Sequence, residues 1–191
     1  RGPHKQSMVF AERLGKNVEQ KQAIGRLVAE LVQPNMTVLL DGGSTVYLAA
    51  QQITARPLQV VTNSLLVAGH FADDEQVELM LIGGNLYPRS GVMVGPIATR
   101  CLHDLHADLL LFSLAGIFED GCYNQNLAMA EIERVMMQQA ARSLLLMDSS
   151  KFGRKSLARV CGVEQIEQII TDNGVSERFR RRFGDRLAIA D

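Results

Sequence analysis

The feature that most constrains this chain is a regular alternation of short apolar runs with helical stretches. Six short runs of four to six residues, most of them apolar without alternation, lie at 36–40, 58–61, 77–82, 109–114, 144–147 and 166–171. Runs without polar alternation are typical of strands that are covered on both faces. Helical periodicity lies between them, at 45–52, 64–71, 96–105 and 128–142. The pattern predicts βαβ units and an α/β fold, a single domain with a mainly parallel sheet flanked by helices.

The segments at either end of this core follow other patterns. Residues 1–16 are polar with little periodicity and are expected to form a linker. From Asn17, apolar residues recur at three- and four-residue steps up to Leu31, which predicts a helix with Asn17 as its N-cap. The stretch 85–94 is too short for a helix, and is either a loop or a small extra strand. Beyond Asn173 we expect a closing helix with a tail.

Composition limits the function. The 191 residues are 47% hydrophobic with a net charge of -1, so the basic excess that DNA phosphates require is absent. Three scattered cysteines, Cys101, Cys122 and Cys161, fit reduced thiols in a cytoplasmic protein. No apolar run approaches the roughly 18 residues of a membrane span. The composition favours a cytoplasmic globular domain that does not itself read DNA and has no membrane partner.

Glycine and polar residues follow the predicted strands, where parallel sheets bind ligands. Asp41-Gly42-Gly43-Ser44-Thr45 lies between the first strand and a helix. The glycines allow close approach of the backbone, and the helix start and two hydroxyls offer donors that suit a phosphate. The alternative is a tight strand–helix turn in which Ser44 or Thr45 is the N-cap.

Four further motifs follow later strands: Thr62-Asn63-Ser64, Gly83-Gly84-Asn85, the segment 116–121 and Asp148-Ser149-Ser150-Lys151. The first can equally be a capping turn, and the second a bend that needs glycine. Lys151, just past a buried strand, is a candidate phosphate partner, although a single lysine is most often a solvated loop residue. The joint occurrence of all five motifs at strand ends indicates a binding site.

The order and spacing of these motifs resemble the sensor domain of DeoR-type transcription regulators, from about Phe10 to Asp172. The shared elements are Asn17 with Lys21 and Ile24, then LLDGGSTV, VVTNS, ELMLIGGNL, VGPIA, ADLLLFSLAGI, DSSKFGR and IITD. The resemblance implies a fold related to sugar-phosphate isomerases and CoA transferases, and a phosphorylated sugar or related metabolite as effector. It also implies a repressor that forms dimers or tetramers, with a winged helix-turn-helix upstream of Arg1, a linker at 1–16 and a sensor domain at 17–191.

The resemblance also assigns a ligand pocket. Its residues would be Asp41, Gly42, Gly43, Ser44, Thr45, Thr62, Asn63, Ser64, Gly83, Gly84, Gly116 and Lys151. We expect the phosphate at 41–45 with Lys151 balancing its charge, and the sugar hydroxyls at Asn63, Asp41 and Glu131. Two positions depart from the family: Glu131-Ile132-Glu133 stands where many members have Glu-x-Lys, and Tyr87 where the residue is often basic. These departures bear on the identity of the effector.

An active isomerase of the same fold is the main alternative. The segment GIFEDGCYNQN is similar to the Asp-Gly-His segment of amino-sugar phosphate isomerases, but Cys122 stands at the histidine position. A thiol is a poor proton shuttle near neutral pH. Asp120 is retained, and Asp41 and Asp148 could lie nearby. We predict binding without turnover, with no catalytic residue, cofactor or metal. A domain that only pairs subunits is a third possibility, which the strand-end motifs argue against as the sole role.

Overall fold

The computed structural model describes residues 10–191, which contain twelve strands and seven α-helices. The strands are β1 (Thr37–Leu40), β2 (Leu58–Thr62), β3 (Val77–Leu81), β4 (Asn85–Tyr87), β5 (Val92–Val94), β6 (Ala107–Phe112), β7 (Gly116–Phe118), β8 (Gly121–Asn124), β9 (Ala140–Leu146), β10 (Ala158–Cys161), β11 (Gln168–Asp172) and β12 (Leu187–Ala190). The helices are α1 (Phe10–Leu14), α2 (Val18–Leu31), α3 (Ser44–Ala50), α4 (Leu65–Phe71), α5 (Pro96–His103), α6 (Leu127–Gln138) and α7 (Glu177–Phe183).

Seven of the strands form one parallel sheet in the order β12-β11-β9-β6-β1-β2-β3. This confirms the predicted α/β fold with a parallel sheet, and each of the six predicted strands overlaps a strand of that sheet. The prediction of a tail after the last helix is wrong for its final part. The LAIA segment there forms the edge strand β12, which pairs with β11. Four residues are too few to show a strand period in the sequence alone.

The chain reverses its direction of travel across the sheet next to β1. From β1 it moves outward through β2 to β3, and it then returns to place β6 on the other side of β1. In open α/β sheets such a reversal leaves a crevice at the carboxyl ends of the two strands. The topology therefore selects the gap beyond β1 and β6 as the place to look for a ligand.

Both faces of the sheet are covered by apolar side chains. Along β6, Leu109 and Leu111 belong to the core formed with α2, α3 and α4. Leu110 and Phe112 alternate with them and belong to the core on the opposite face, formed with α5 and α6. Side chains of a strand alternate between faces, so two cores require an uninterrupted apolar run.

Two small antiparallel sheets lie beside the main one. The hairpin of β4 and β5 accounts for the stretch 85–94, which was open between loop and extra strand. The second sheet has the order β10-β8-β7. Its strands β7 and β8 span the segment around Asp120, so this loop belongs to the small sheet.

The predicted linker and the predicted N-cap need correction. The first nine residues lie outside the described part of the chain, but the structure places α1 within the segment expected to be a linker. Phe10 is buried, its ring centroid lies 5.9 Å from that of Tyr47, and its N–H donates to the Arg89 carbonyl at 3.0 Å. Asn17 precedes α2 with a φ of 52° and makes no side-chain cap. Its amide instead donates to Asp148 at 2.9 Å.

The helix predicted at 128–142 ends early. The structure ends α6 at Gln138 and begins β9 at Ala140. Ala140 and Arg142 pair with Ala107 and Leu109 of β6. Pairing with a buried strand thus overrides the helix propensity of this alanine-containing segment.

Candidate functional site

A cavity opens at the carboxyl ends of β1 and β6, where the chain reverses across the sheet. We call it the central cleft. Among residues 10–191 its lining consists of Arg13, Asp41, Gly43, Ser44, Thr45, Tyr87, Arg89, Ser90, Ser113, Leu114, Ala115, Asn124, Gln125, Asn126, Met129 and Lys151. The loops after β1, β6 and β8, with the end of β8 and the starts of α3 and α6, supply most of these residues, and α1 and the β4–β5 hairpin supply most of the others. The cleft lies in the crevice that the topology predicts.

The loop after β1 forms the floor of the cleft. A Cβ on Gly43 would lie 2.7 Å from the Cβ of Ser113, so only glycine lets this loop pack so closely against the end of β6. Ser44 begins α3, and both Ser44 and Thr45 are buried against the cleft. The loop is therefore held by packing, and its hydroxyls face the cavity from a fixed position.

Asp41 is the carboxyl group in the floor of the central cleft. It is 2% exposed, and this burial raises its pKa to about 6. The backbone N–H groups of Gly42 and Ser113 and the charge of Arg13 oppose that rise. The Ser113 N–H lies 3.4 Å from Oδ2, so it solvates the carboxylate weakly. Asp41 is an acceptor whose charge depends on pH in the physiological range.

A second cavity adjoins the first and shares Arg13, Ser44 and Lys151 with it. We call it the basic recess, and its lining is Arg13, Lys16, Asn17, Lys21, Ser44, Asp148, Ser150, Lys151 and Arg154. Together the two cavities are lined by six cationic side chains and two carboxylates. The six cations are Arg13, Lys16, Lys21, Arg89, Lys151 and Arg154. In a chain of net charge -1, this concentration of positive charge favours an anionic ligand.

Burial lowers the pKa of Arg13, Lys21 and Lys151, and the charge of Asp148 opposes this for the two lysines. Lys21 is 3% exposed, and its ammonium donates to the Arg13 carbonyl, which ties α2 to α1. The Lys151 ammonium makes no hydrogen bond or ion pair within residues 10–191. A partly buried cation with no bonded partner gains most from an incoming anion, since binding offsets its desolvation.

Asp148 organises the wall of the basic recess. Its Oδ1 accepts hydrogen bonds from the Asn17 amide at 2.9 Å and from the Ser150 N–H at 3.1 Å. Its Oδ2 is buried and has no partner among the described residues. The carboxylate thus anchors the start of α2 and the turn that carries Lys151, while keeping one acceptor available.

Five of the sequence-predicted site residues line the central cleft: Asp41, Gly43, Ser44, Thr45 and Lys151. Gly42 lies behind them, where a Cβ would stand 2.0 Å from the side chain of Val92. The structure thus brings the first and last predicted motifs together although they are more than 100 residues apart in the chain.

The motif Thr62-Asn63-Ser64 joins structural elements and does not line the cleft. The Thr62 hydroxyl donates to the Leu40 carbonyl at 2.7 Å. The Asn63 amide donates to the Met93 carbonyl at 3.0 Å, although its Oδ1 is buried without a partner among the described residues. Ser64 caps α4 by accepting from the Val67 N–H at 3.3 Å.

The other predicted residues also lie outside both cavities. Gly83 has open space around it, and Gly84 adopts a φ of 151° at the bend into the hairpin. A Cβ on Gly116 would lie 2.5 Å from the Arg154 carbonyl oxygen, so this glycine permits a close crossing of two chain segments. Glu131 lies on an exposed position of α6.

Several lining residues were not found from the sequence. Arg13 lies on α1, whose five residues are too short for a helical period, and Asn124 and Met129 flank the start of α6. Arg89 and Ser90 lie in the turn of the β4–β5 hairpin. No sequence signal indicated the arginines, because neither lies near a predicted phosphate motif along the chain.

The two positions at which the sequence departs from the DeoR-type pattern, Tyr87 and Glu133, lie at the site or directly behind it. Tyr87 lines the central cleft. Glu133 is fully buried, and its Oε1 accepts a hydrogen bond from the Asn124 amide at 2.6 Å, while Oε2 has no partner among the described residues. Burial, reinforced by the charge of Asp41, raises the pKa of Glu133 well above its ordinary value. Burial therefore favours the neutral form of the carboxyl group that stands behind the wall formed by Asn124.

The isomerase-like segment reaches the central cleft with its last three residues, 124–126, whereas its Asp120 and Cys122 line neither cavity. Asp120 accepts a hydrogen bond from Lys155 at 2.6 Å, which lowers its pKa, and its side chain is 52% exposed. Cys122 is fully buried and pairs in register with Cys161 of β10. Neither residue faces the position where a cleft-bound ligand would lie. No group of three or more potential metal ligands occurs in the described residues, and no helix there is long and apolar enough to cross a membrane.

Several transcriptional regulators are similar to this chain over most of its length. The HTH-type transcriptional regulator GolR of Listeria innocua is 30% identical over 178 residues, which are 92% of this chain and 70% of the relative. The HTH-type transcriptional repressor GlcR of Bacillus subtilis is 31% identical, over 92% of this chain and 68% of the relative. The L-fucose operon activator of Escherichia coli is 32% identical, over 85% of this chain and 68% of the relative.

Solved structures with the same fold are more distant in sequence. Ribose 5-phosphate isomerase A of Methanocaldococcus jannaschii superposes with a TM-score of 0.52 at 15% identity, over 72% of this chain and 55% of that one. The eIF2B delta subunit of Chaetomium thermophilum gives 0.56 at 12% identity, over 81% and 56%. This chain spans little more than half of either, and such identities establish the fold alone. Residues 16–173 match the family described as the DeoR C terminal sensor domain, and the chain belongs to that family.

Proposed function

We propose that this chain is the effector-binding domain of a DNA-binding transcription regulator, and that it binds a phosphorylated sugar without converting it. The observation that carries the proposal is the set of six cations around two joined cavities at the reversal point of the sheet. A neutral sugar does not require such a charge, whereas a phosphate dianion does. The fold and the cleft alone are compatible with many ligands.

The phosphate is best placed at the wall that the two cavities share. Arg13 and Lys151 flank that wall, and the Ser44 hydroxyl lies between the cavities. An arginine fork and a lysine ammonium together neutralise a dianion and bind it through charge-assisted hydrogen bonds. The phosphate therefore lies further toward the basic recess than a site formed by the 41–45 loop alone.

The sugar hydroxyls are best placed in the central cleft. Asp41, Ser113 and Gln125 line this part and offer acceptors and donors for hydroxyl groups. Asn63 and Glu131 no longer belong to the proposed contact set, because neither lines a cavity. The ligand is thereby oriented with its anionic end toward Lys151 and its hydroxyls toward Asp41.

Binding without turnover is supported by the relatives and by the position of the acidic residues. The relatives described above are named as transcriptional regulators. An isomerase needs a positioned base and a proton donor near the sugar carbons. In the described residues Asp120 and Cys122 lie away from the cleft, which leaves Asp41 as the carboxylate in its floor. Analysis of the ligand after prolonged incubation separates this proposal from an isomerase.

The regulatory role requires a connection from the ligand to a DNA-binding part, which we place N-terminal to this domain, in a cytoplasmic protein. Arg13 lies on α1, inside the segment 1–16 that we propose leads to that part. A ligand held by Arg13 would favour the docked position of α1 over alternatives, and so bias the segment before it. The relatives include a repressor and an activator, and we favour a repressor here.

The direct test measures the thermal stability of this chain with a panel of sugar phosphates and their parent sugars. A ligand at about 100 times its dissociation constant stabilises the fold by about 2.7 kcal/mol. A rise in Tm with one phosphate, and none with its parent sugar, would support the proposal and identify the effector. Consumption of that phosphate would indicate an enzyme, and the absence of a shift with every phosphate would contradict the proposal.

A further inference from the structure

The two edges of the main sheet differ in how they are covered. At one edge, β12 is half-buried and lies against α2. Arg26 of that helix donates to the Asp191 carbonyl at 3.2 Å. At the other edge, three of the five residues of β3 are exposed, and no strand lies beyond it within residues 10–191. Exposed edge strands readily pair with another chain, and β3 carries neither a proline nor a bulge that would prevent this.

Apolar exposure is concentrated at the same edge. Of the eight large hydrophobic side chains that are exposed in the described residues, six lie there: Leu65, Leu66, Met80, Leu81, Leu86 and Ile97. The elements that carry them are contiguous, since α4 packs on β3, β3 leads through Gly84 into β4, and Gly84 faces Ala98 of α5. Such clustering of apolar side chains beside an open strand marks an interaction surface.

The backbone of β3 offers its unpaired groups at defined residues. The even-numbered residues next to the ends of β3 direct their backbone groups toward β2. The Ile82 N–H donates to the Thr62 carbonyl at 2.8 Å, and the Gln76 carbonyl accepts from the Leu58 N–H at 3.1 Å. N–H and C=O groups alternate sides along a strand, so those of Leu79 and Leu81 point away from the sheet. The outward Val77 N–H is already used by the Asp74 carbonyl at 3.0 Å. Leu79 is thus the centre of the open edge.

We propose that β3 pairs with β3 of a second copy of this chain, antiparallel and centred on Leu79. In this register the two Leu79 residues lie opposite each other, and each donates its N–H to the carbonyl of the other. The Leu81 N–H of each copy donates to the Val77 carbonyl of the other copy. This register pairs all five residues of the strand. A contact that uses the same strand on both sides is closed by a two-fold axis and occupies the β3 edge of both copies.

Charge favours this register of two copies over the neighbouring one. Glu78 is the single charged residue of β3. In the register centred on Leu79 it lies opposite Met80 of the other copy, in the closely spaced non-hydrogen-bonded pair. Centring on Glu78 would instead place two carboxylates opposite each other, which is unfavourable. A two-fold pair would also suit a regulator that reads two related half-sites, although the interface itself requires only this domain.

The test compares two charges at one exposed position by sedimentation equilibrium of the whole 191-residue chain. Met80→Glu would face Glu78 of the other copy twice per dimer, and the dimer should dissociate about tenfold more readily. Met80→Lys would face the same carboxylate and should keep or tighten the dimer. The double variant Met80→Glu with Glu78→Lys should restore it. Since Met80 is 47% exposed, all variants should keep the Tm of the wild-type monomer.

Three results would overturn the proposal. The wild-type chain could sediment as a monomer at every concentration measured. Both single variants could remain as dimeric as the wild type, which would place the interface elsewhere. Both could dissociate equally, which would exclude the register centred on Leu79. None of these results depends on the effector, so each can be distinguished from failure of the proposed sugar-phosphate function.

Discussion

The central cleft and the basic recess share three residues but differ in their electrostatics. The floor of the central cleft is formed by Asp41, with the buried carboxyl of Glu133 behind the adjacent wall. The basic recess has five cations against the single carboxylate Asp148. Burial acts on both, raising the pKa of Asp41 while lowering the pKa of Lys21 and Lys151. The same physical cause, burial, thus disfavours the charged form at both ends of the site.

This difference teaches how a ligand would be oriented. A dianion near Asp41 would meet a carboxylate in a low-dielectric floor, whereas one near Lys151 would meet an ammonium that makes no hydrogen bond or ion pair within residues 10–191. Hydroxyl groups have the reverse preference, because Asp41 can accept their protons in hydrogen bonds. If the proposed function is right, these charges would orient a sugar phosphate before any contact with a specific hydroxyl is considered.

The largest effect should come from replacing Asp41 with asparagine. The pKa of Asp41 rises to about 6 on folding, so the folded protein retains a proton that the unfolded chain loses near pH 4. The wild-type free energy of unfolding should accordingly fall between about pH 4 and pH 6, by up to about 3 kcal/mol relative to Asp41→Asn. Urea unfolding of both proteins across this pH range measures the difference.

Asp120→Asn is the matched control for that series, because the pKa of Asp120 is lowered by Lys155 and not raised. Its small effect should have the opposite sign, with the wild type gaining stability as pH rises. A constant difference between wild type and Asp41→Asn from pH 4 to pH 7 would show that burial does not control Asp41. Ligand binding extends this comparison of the two variants. A phosphate bound at the Asp41 end would repel the ionised carboxylate and would therefore bind together with a proton.

Lys151→Ala should have the next largest effect, at the other end of the site. Loss of its charge-assisted hydrogen bonds should weaken a phosphorylated effector by about 10- to 100-fold and leave the parent sugar unaffected. Lys155→Ala is the control, because Lys155 bonds to Asp120 on the small sheet, outside both cavities. Titration calorimetry measures both ligands. Equal weakening of the phosphate and the sugar would remove the proposed role of Lys151.

Gly43→Ala tests whether the floor between the two ends depends on close packing. The added methyl group would lie 2.7 Å from the Cβ of Ser113, so the loop must shift, at a cost of about 1–2 kcal/mol. Gly83→Ala is the control, since its Cβ would meet no atom within 4 Å. Thermal unfolding of the two variants gives the comparison. If Gly83→Ala destabilised the fold as much as Gly43→Ala, packing against Ser113 would not explain the glycine.

The sequence predicted the sheet well because each central strand carries its own signal. The run 109–114 is apolar on both faces, so its burial could be inferred without knowing its neighbours. By contrast, β12 and α1 have four and five residues and too few turns or alternations to reveal a period. Their positions depend on pairing with β11 and on the burial of Phe10, which are properties of the tertiary structure.

The site was predictable only where a motif lies at the end of a central strand. Asp41, Gly43 and Lys151 meet this condition. Thr62 follows β2, which lies beyond the reversal point, and the motif there joins α4 and the hairpin to the sheet. Arg13 reaches the cleft from a segment distant in sequence from β1 and β6. Local patterns identify strand ends, but the sheet order decides which ends face the ligand.

The smallest effect is expected for Glu133→Gln, and its smallness is informative. Burial and the charge of Asp41 raise the pKa of Glu133 well above its ordinary value, so folding favours its protonated, neutral form. Glutamine has the same shape and retains the oxygen that accepts from Asn124. At about pH 4, where the carboxyl group is largely protonated in the folded and in the unfolded chain, the free energy of unfolding should therefore change by less than about 1 kcal/mol.

Glu133→Ala supplies the contrast, because it leaves the Asn124 amide unpaired beside a new cavity and should cost about 2–4 kcal/mol. A raised pKa also implies that the wild type loses stability as the pH rises above about 4, where the unfolded chain releases the proton that the folded protein retains, and Glu133→Gln should abolish this decline. If the wild type showed no such decline relative to Glu133→Gln, the carboxylate would be ionised in the folded protein. The wall behind Asn124 would then carry a second negative charge near Asp41, and the preference of a phosphate for the Lys151 end would be stronger still.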